Sequence, residues 1–464
     1  MGERIPENKM GTMPVGKLLA DMAIPMMISM LVQALYNVVD SVFVSRISEN
    51  ALNAVSLAFP LQNLMIAFGS GTAVGMNALL SRSLGAKQQE QVDRAANTGM
   101  FLFGCTYVLF ALIGAFLSRP FFLAQTHDAE IVGYGVDYAS ICLIFSFGIF
   151  AQFCFERLLQ STGRTKLSMM TQLIGAVINI VLDPILIFGW FGLPRLEVKG
   201  AAIATVAGQI IAAIIGLFVN LKKNPEIHIR AKLVRWHGAT AGEIYRVGVP
   251  SIIMGSIGSV MTYFMNKILI AYTLGKELSV NVFGAFFKLN SFICMPIFGL
   301  NNGVIPIIAY NYGAMKKHRM IKTIKLSVVY AEVFSIIGAI LFFALPKVLL
   351  GFFSATPEML RIGIPALKII SVSFLFAGAN IALSGVFQSF GKSIFSMISS
   401  FIRQLVVLIP IAYILARYGL SIGNDNLVWW SYSIADFAAS VVSIVCFIIL
   451  YKKIIKPIQN DQTE

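Results

Sequence analysis

Two groups of polar side chains in the first half of the chain could bind a cation. They are Gln33, Tyr36, Asn37 and Asp40 in one apolar segment, and Asn179 and Asp183 in another. Steps of three, four and seven residues place the members of each group on one side of a helix. A carboxylate deep in an apolar segment is costly unless it is protonated, paired or hydrated. Asp40 and Asp183 are therefore predicted to bind H⁺ or Na⁺.

A third apolar segment adds a hydroxyl group to these candidates. It begins Gly200-Ala201-Ala202-Ile203-Ala204-Thr205, and such small residues permit close packing of helices. Na⁺ is a hard ion that prefers oxygen ligands. Its candidate ligands are Asp40, Asn179, Asp183 and Thr205. The alternative is that the amide and hydroxyl groups only hydrogen-bond one helix to another.

Long apolar segments are the elements that would position these residues. Of the 464 residues, 57% are hydrophobic and 12% are charged, and the mean hydropathy is +0.78. A soluble domain has about 25% charged residues, whereas a helix needs about 20 apolar residues to cross a bilayer. We predict an all-α polytopic membrane protein with twelve spans. They cover residues 16–45, 51–80, 96–118, 131–157, 166–190, 200–221, 243–272, 279–309, 324–346, 360–387, 394–416 and 428–451.

The net charge of +14 is interpreted as a sign of membrane topology. When the amino terminus is placed in the cytoplasm, most Lys and Arg residues fall in cytoplasmic loops and tails, as inserted proteins require. Twelve spans bring the carboxyl terminus back to the same side. We expect a multi-pass protein of the bacterial cytoplasmic membrane, in contact with its lipid and with no nucleic acid as partner.

The two halves of the chain repeat each other at an offset of 228 residues. The segment from Gln160 to Arg164 recurs from Gln388 to Lys392, whereas Asp183 falls on Ile411. Internal repeats are typical of secondary transporters, whose binding site lies at the repeat interface. The longest polar interruption predicts a first lobe at residues 1–221, a cytoplasmic linker at 222–242 and a second lobe at 243–464.

Other ionisable residues within the spans give a weaker indication of function. Asp137 and Glu156 lie near opposite ends of the fourth predicted span, where water or lipid headgroups could solvate them. Glu332, Arg403 and Asp436 could pair across helices in the second lobe. We expect structural roles for these residues.

Enzymatic and metal-binding motifs are missing from the sequence. The five cysteines lie singly in apolar segments and the four histidines lie in loops, which gives neither a disulfide framework nor metal-ligand spacing. A membrane aspartyl hydrolase using Asp40 and Asp183 would need a Gly-x-Gly-Asp signature, which is absent from the sequence. Serine nucleophile elbows and His-Glu-x-x-His motifs are absent too. We predict a monomeric, non-enzymatic protein without a cofactor.

Several of these motifs together resemble the multidrug and toxic compound extrusion (MATE) family of transporters. They extend over roughly residues 14–455 and are Pro25, Gln33-x-x-Tyr36-Asn37-x-x-Asp40, Gly85-Ala86, Gln160-Ser161-Thr162-Gly163-Arg164, Asn179-x-x-x-Asp183-Pro184, Gly200-Ala201-Ala202-x-Ala204-Thr205 and Tyr310-Asn311-Tyr312-Gly313-Ala314. The resemblance implies the MATE fold, in which two pseudo-symmetric six-helix bundles surround a central cavity. It also implies export of amphipathic and cationic drugs in exchange for H⁺ or Na⁺.

The resemblance further implies roles for individual residues. The cation-coupling set would be Asp40, Asn179, Asp183, Thr205 and Tyr138, and the substrate cavity would include Gln33, Tyr36 and Asn37. Relatives that bind Na⁺ in the second lobe use acidic residues on the seventh and tenth spans. Here the seventh span carries Lys267, and the tenth has Glu358 only near its start. Coupling is therefore expected in the first lobe.

A lipid-linked oligosaccharide flippase of related two-lobe architecture is the alternative. Such a protein would be expected to have additional spans and a cationic cavity for pyrophosphate. The twelve predicted spans and the first-lobe carboxylates favour the antiporter. Lys267, Lys288 and Arg403 keep the flippase open as an alternative.

Overall fold

A computed structural model describes residues 7–353 and 355–459, and the described chain is helical without a β-strand. Helices suit an apolar environment because each one satisfies its own backbone hydrogen bonds. The first lobe consists of α1 (Lys9–Thr12), α2 (Val15–Ser45), α3 (Glu49–Gly85), α4 (Gln89–Phe116), α5 (Ser118–Leu123), α6 (Ala129–Ile144), α7 (Phe147–Ser161), α8 (Thr165–Phe188) and α9 (Glu197–Lys223).

The second lobe has the same order of helices. It consists of α10 (Gly238–Tyr272), α11 (Glu277–Gly313), α12 (Lys317–Ala344), α13 (Pro346–Gly351), α14 (Pro357–Ser371), α15 (Phe374–Ser389), α16 (Ser393–Phe401), α17 (Ile409–Ile422) and α18 (Trp430–Leu450). Short 3₁₀ segments occur at Trp190–Gly192, Ala231–Leu233 and Asp425–Trp429, and π-helical segments at Ile402–Leu408 and Tyr451–Ile455.

Two of the spans predicted as continuous helices are bent. Ten helical segments of the described chain are long and apolar enough to cross a membrane, and the bent pairs α6–α7 and α14–α15 bring the number to twelve. The bends measure 43° and 54°. At each bend a serine N–H bonds three residues back, from Ser146 to Leu143 and from Ser373 to Ile370. This tighter pattern interrupts the α-helical ladder and allows the chain to turn.

The helix boundaries repeat with the offset found in the sequence. Helices α3, α4 and α5 begin and end 228 residues before α11, α12 and α13. Helices α8 and α16 also begin 228 residues apart, at Thr165 and Ser393. The repeat is therefore structural over the length of the lobes, including regions where the side chains have diverged.

The two lobes exchange contacts through glycines on the repeated helices α3 and α11. Helix α3 packs against α10 and helix α11 packs against α2. A Cβ atom on Gly71 would lie 2.8 Å from the carbonyl oxygen of Gly248, and one on Gly299 would lie 2.7 Å from the nitrogen of Met27. Only glycine, whose side chain is a single hydrogen atom, allows two helix backbones to approach so closely.

The lobes also meet at the end of the bundle that carries the linker, here called the linker end. A Cβ atom on Gly85 would lie 2.8 Å from the carbonyl carbon of Tyr310, and one on Gly313 would lie 2.9 Å from that of Arg82. An ion pair of 2.5 Å joins the Arg82 guanidinium to Glu243 of the second lobe. These contacts close the space between the lobes at the linker end.

The residues before α2 bridge both lobes at the linker end. The Asn8 amide donates to the Thr162 carbonyl oxygen at 2.9 Å and to Glu226 at 2.8 Å, both on the first-lobe side. The Asn311 amide of the second lobe donates to the Met10 carbonyl oxygen at 3.0 Å. The amino-terminal segment therefore reinforces the closure of this end.

An ion pair at the surface adds a pH-dependent contact to this segment. The Lys316 ammonium donates to Glu7 at 2.7 Å and holds the pKa of that carboxyl below its usual value of 4.5. A lowered pKa stabilises the folded chain at pH values above 4.5. This stabilisation is lost as the pH falls through the lowered value.

We expect Gly303→Ala to destabilise the protein and Gly284→Ala, on the same helix, to leave it unchanged or more stable. A Cβ atom on Gly303 would lie 2.7 Å from the Cα of Ala23, whereas a Cβ atom on Gly284 meets nothing within 4 Å. Overpacking costs about 1–3 kcal/mol, and alanine is favoured over glycine in a free helix by about 1 kcal/mol. Thermal melting of the purified proteins measures both effects, and equal melting temperatures would contradict the proposed packing.

Candidate functional site

The carboxylates of Asp40 and Asp183 lie inside the first lobe, on the packed helices α2 and α8. Asp183 is completely buried and Asp40 is 9% exposed. Helices α2 and α8 pack directly against each other, so one helix bundle encloses both carboxylates. Two carboxylates that share an apolar bundle repel each other when both are charged, so a bound cation or proton stabilises the pair.

Asn179 and Thr205 extend this carboxylate pair along helices α8 and α9. The Asn179 amide donates to the Asp183 carboxylate at 3.4 Å and to the Thr205 hydroxyl oxygen at 3.2 Å. Asn179 precedes Asp183 by four residues, which places both side chains on the same face of α8. The structure thus brings together three of the four predicted oxygen ligands, Asn179, Asp183 and Thr205.

Three oxygen atoms of this group are buried without a hydrogen-bond donor among the described residues. They are Oδ1 of Asp40, Oδ2 of Asp183 and Oδ1 of Asn179. Buried polar atoms in folded proteins nearly always have partners, and an unsatisfied one requires an explanation such as an unseen ion or water. Oxygen acceptors of this kind fit either a proton or Na⁺ as the bound cation.

Two tyrosines border the carboxylate pair. Tyr138 of α6 is buried and accepts a hydrogen bond of 3.2 Å from the Gln62 amide of α3. Tyr36 is partly buried and lies one turn before Asp40 on α2.

A small cavity of about 50 Å³ lies beside the site. Its walls come from α2, α7, α8 and α9, and its polar lining residues are Gln33, Tyr36, Gln152, Glu156, Gln172, Asn179, Thr205 and Gln209. A water molecule takes up about 30 Å³ of liquid volume, and drug-sized ligands occupy pockets of about 300–1,000 Å³. This cavity has room for a small cation with one or two water molecules and is too small for a drug-sized ligand.

Asn37 does not join this cavity. Asn37 is exposed and does not line the cavity, whereas Gln33 and Tyr36 are partly buried and line it. Successive residues of an α-helix are about 100° apart around the axis. Asn37 therefore points away from the direction that Tyr36 takes, although it lies one turn from Gln33 and Asp40.

The sequence predicts that Glu156 is solvated near the end of the fourth span, and this prediction is wrong. The residue is 6% exposed and its carboxylate lines the cavity, where it accepts a 2.8 Å hydrogen bond from Gln152. The neighbouring Arg157 donates instead to Gln160 and to Asn302 of the second lobe. Glu156 lies in the second half of α7, where the residues from Cys154 to Ser161 are all buried in the lobe.

The spacing of Gln152 and Glu156 could have revealed their role. An amide four residues before a carboxylate is the pattern that also relates Asn179 to Asp183. Residues so spaced face the same side of a helix. The signal was hidden because the sequence does not show where the long fourth span bends.

The remaining ionisable residues of the spans take structural positions. Asp137 is 40% exposed and pairs with Lys199 at 3.3 Å. The prediction of a cross-helix pair in the second lobe is confirmed, since Nε of Arg403 lies 2.5 Å from the carboxylate of Asp436. Glu332 accepts a 2.9 Å hydrogen bond from the backbone N–H of Ala379.

Comparison with known proteins identifies close likenesses over nearly the whole chain. The family model described as MatE matches residues 25–185 and 250–414. A protein of Staphylococcus haemolyticus named multidrug export protein MepA is 28% identical over 442 residues, which is 94% of this chain and 93% of the relative. Proteins of Staphylococcus aureus with the same name reach 27% identity over 94% of both chains.

Solved structures share the fold. One, described as the outward-facing conformation of a multidrug resistance MATE family transporter, matches with a TM-score of 0.89 and 24% identity over 98% of this chain and all of its own. A transporter from Pyrococcus furiosus, described as having a binding pocket of reverse polarity, matches with a TM-score of 0.88 and 25% identity over 97% of this chain. Since the family model also covers more than half of the sequence, this multi-pass membrane protein belongs to the MatE family of transporters.

Proposed function

We propose that the protein exports amphipathic and cationic drugs in exchange for H⁺ or Na⁺ bound at Asp40 and Asp183. The observation that carries this proposal is the pair of buried carboxylates with unpaired acceptor atoms beside a cavity of ion size. The name of the staphylococcal relatives, multidrug export protein, supports the direction of transport and the class of substrate. The bound cation is exchanged with the medium and is a substrate of transport.

The proposed orientation places the linker end in the cytoplasm. Basic residues are abundant in the linker and in the loops at this end, and such residues favour the cytoplasmic side of a bacterial membrane. Both termini would then be cytoplasmic. The glycine contacts near Gly85 and Gly313 close the cytoplasmic entrance in this orientation. The likeness to an outward-facing transporter supports this reading of the conformation.

Exchange requires that the cation and the drug favour different conformations of the two lobes. A cation from outside would bind between α2 and α8 and remove the repulsion between their carboxylates. Helix α2 also packs on α11 of the second lobe, so a change in its position alters the contact between the lobes. The drug would bind between the lobes, and one chain contains every part of the cycle. We therefore propose a monomer.

Replacement of Asp40 or Asp183 by Asn should abolish gradient-driven efflux, because an amide cannot take up the charge that couples transport. Ethidium efflux is measured from proteoliposomes with an imposed pH gradient and, separately, an imposed Na⁺ gradient. The gradient that drives efflux in the wild type identifies the ion. We expect a loss of at least about tenfold, equivalent to about 1.4 kcal/mol.

Asp137→Asn serves as the matched control, since Asp137 is a partly exposed first-lobe carboxylate paired with Lys199. It should transport at the wild-type rate. Gradient-driven efflux by Asp40→Asn at that rate would refute coupling at this site. Absence of ethidium transport under both gradients, by correctly folded wild-type protein, would contradict the exporter and favour the lipid-flippase alternative.

Glu156→Gln should slow efflux while preserving the fold. The substitution keeps the size of the side chain and its neighbour Gln152 but removes the ionisable group of the cavity. Loss of one step in cation uptake or release is expected to reduce the rate by about tenfold, which corresponds to about 1.4 kcal/mol in the barrier. Efflux is measured as above. The variant Gln209→Glu adds a carboxylate to the same cavity, whereas Glu156→Gln removes one. An unaltered rate in Glu156→Gln would exclude a role for this carboxylate.

A further inference from the structure

The internal repeat permits a direct comparison of the cation cavity with its counterpart in the second lobe. In the first lobe, Gly175 of α8 and Gly208 of α9 lie in the cavity wall. A Cβ atom on Gly208 would lie 2.6 Å from the carbonyl oxygen of Gly175. The two helices thus meet backbone to backbone, and no side chain from these positions enters the space beside Asn179 and Thr205.

The second lobe carries an ion pair at the same repeat positions. Residues 228 further along the chain are Arg403 for Gly175 and Asp436 for Gly208. The Arg403 guanidinium approaches the two oxygens of Asp436 through Nε at 2.5 Å and Nη2 at 3.2 Å. Asp436 is 1% exposed. The residue that carries the guanidinium group, 35% exposed, therefore takes the repeat position of a glycine in the first lobe's cavity wall.

One polar residue of the cavity lining has a polar counterpart beside this pair. The second-lobe counterpart of Gln152 is Asn380, whose amide donates to the main-chain oxygen of Asp436 at 3.1 Å. Arg403 lies in the π-helical segment Ile402–Leu408, whereas the equivalent part of α8 is regular. π-Helical turns are common at functional sites because they redirect side chains.

The second lobe has lost the carboxylates that the first lobe uses. The counterparts of Asp40, Glu156 and Asp183 are Ile268, Ser384 and Ile411. Asp436 is a fully buried carboxylate of the second lobe, and its counter-ion is part of the chain. Arginine keeps its positive charge under all physiological conditions, so this cation cannot leave as a proton could.

We infer that Arg403 is a tethered cation that permanently occupies the second lobe's counterpart of the coupling-ion cavity and thereby confines exchange of the coupling ion to the first lobe. The inference rests on the proposed function for its second part, the confinement of exchange. Its first part, that Asp436 sits in a cation-binding pocket filled by a guanidinium group, depends only on the structure.

The pocket is tested by replacing Arg403 with Gly, the residue at the equivalent first-lobe position. Arg403→Gly leaves Asp436 buried and unpaired, so the variant should melt at a lower temperature than the wild type. Millimolar guanidinium chloride should raise its melting temperature relative to NaCl of equal ionic strength and to urea. The double variant Arg403→Gly/Asp436→Asn should show no selective rise. If guanidinium does not raise the melting temperature of a folded Arg403→Gly variant, the proposed pocket is refuted.

Confinement of exchange is tested with the uncharged pair Arg403→Met/Asp436→Asn. Since the pair is proposed to block a site rather than to carry ions, this variant should drive ethidium efflux at the wild-type rate under the same gradient. Loss of efflux in a variant that melts like the wild type would show that the pair takes part in transport, and would overturn the inference. If wild type and variant both fail to transport, the proposed function fails, and the confinement of exchange fails with it. The effect of guanidinium on the melting temperature of Arg403→Gly would still test whether Asp436 lies in a cation-binding pocket.

Discussion

The contact of helix backbones at glycines is the constraint on which the arrangement of the two lobes depends. In lipid there is little hydrophobic drive to bring helices together, so close packing of small residues has to provide much of the attraction. Helices α3 and α11 supply these residues at equivalent positions of the repeat, from Gly71 and Gly299 to Gly85 and Gly313. Each helix therefore belongs to one lobe by sequence and lies against the other by packing.

These contacts also decide which groups can face the space between the lobes. Because α2 packs on α11 as well as on α8, it links the buried carboxylate of Asp40 to the interface of the lobes. A cation that alters the repulsion between Asp40 and Asp183 acts on a helix that both lobes share. The proposed cation site and the interface of the lobes are thus connected by one helix, α2.

The repeat provides two equivalent frameworks, and the side chains give them different roles. The Asp436 side chain is 1% exposed and the Arg403 side chain is 35% exposed, so the buried carboxylate depends on the partly exposed guanidinium for its charged partner. Asp40 and Asp183 each have a buried oxygen without a hydrogen-bond donor among the described residues, which suits the proposed exchange of a cation. The duplicated backbones thus carry different charged groups at equivalent positions of the repeat.

The sequence alone determined the membrane fold, the number of spans and the repeat, since hydrophobic length and charge asymmetry act locally along the chain. It also indicated Asp40 and Asp183, because a carboxylate in an apolar segment stands out wherever the helix lies. Tertiary structure alone decided that Glu156 faces the cavity and that Asn37 does not. Those outcomes depend on where a helix bends and how it is rotated against its neighbours, and packing between distant segments fixes both.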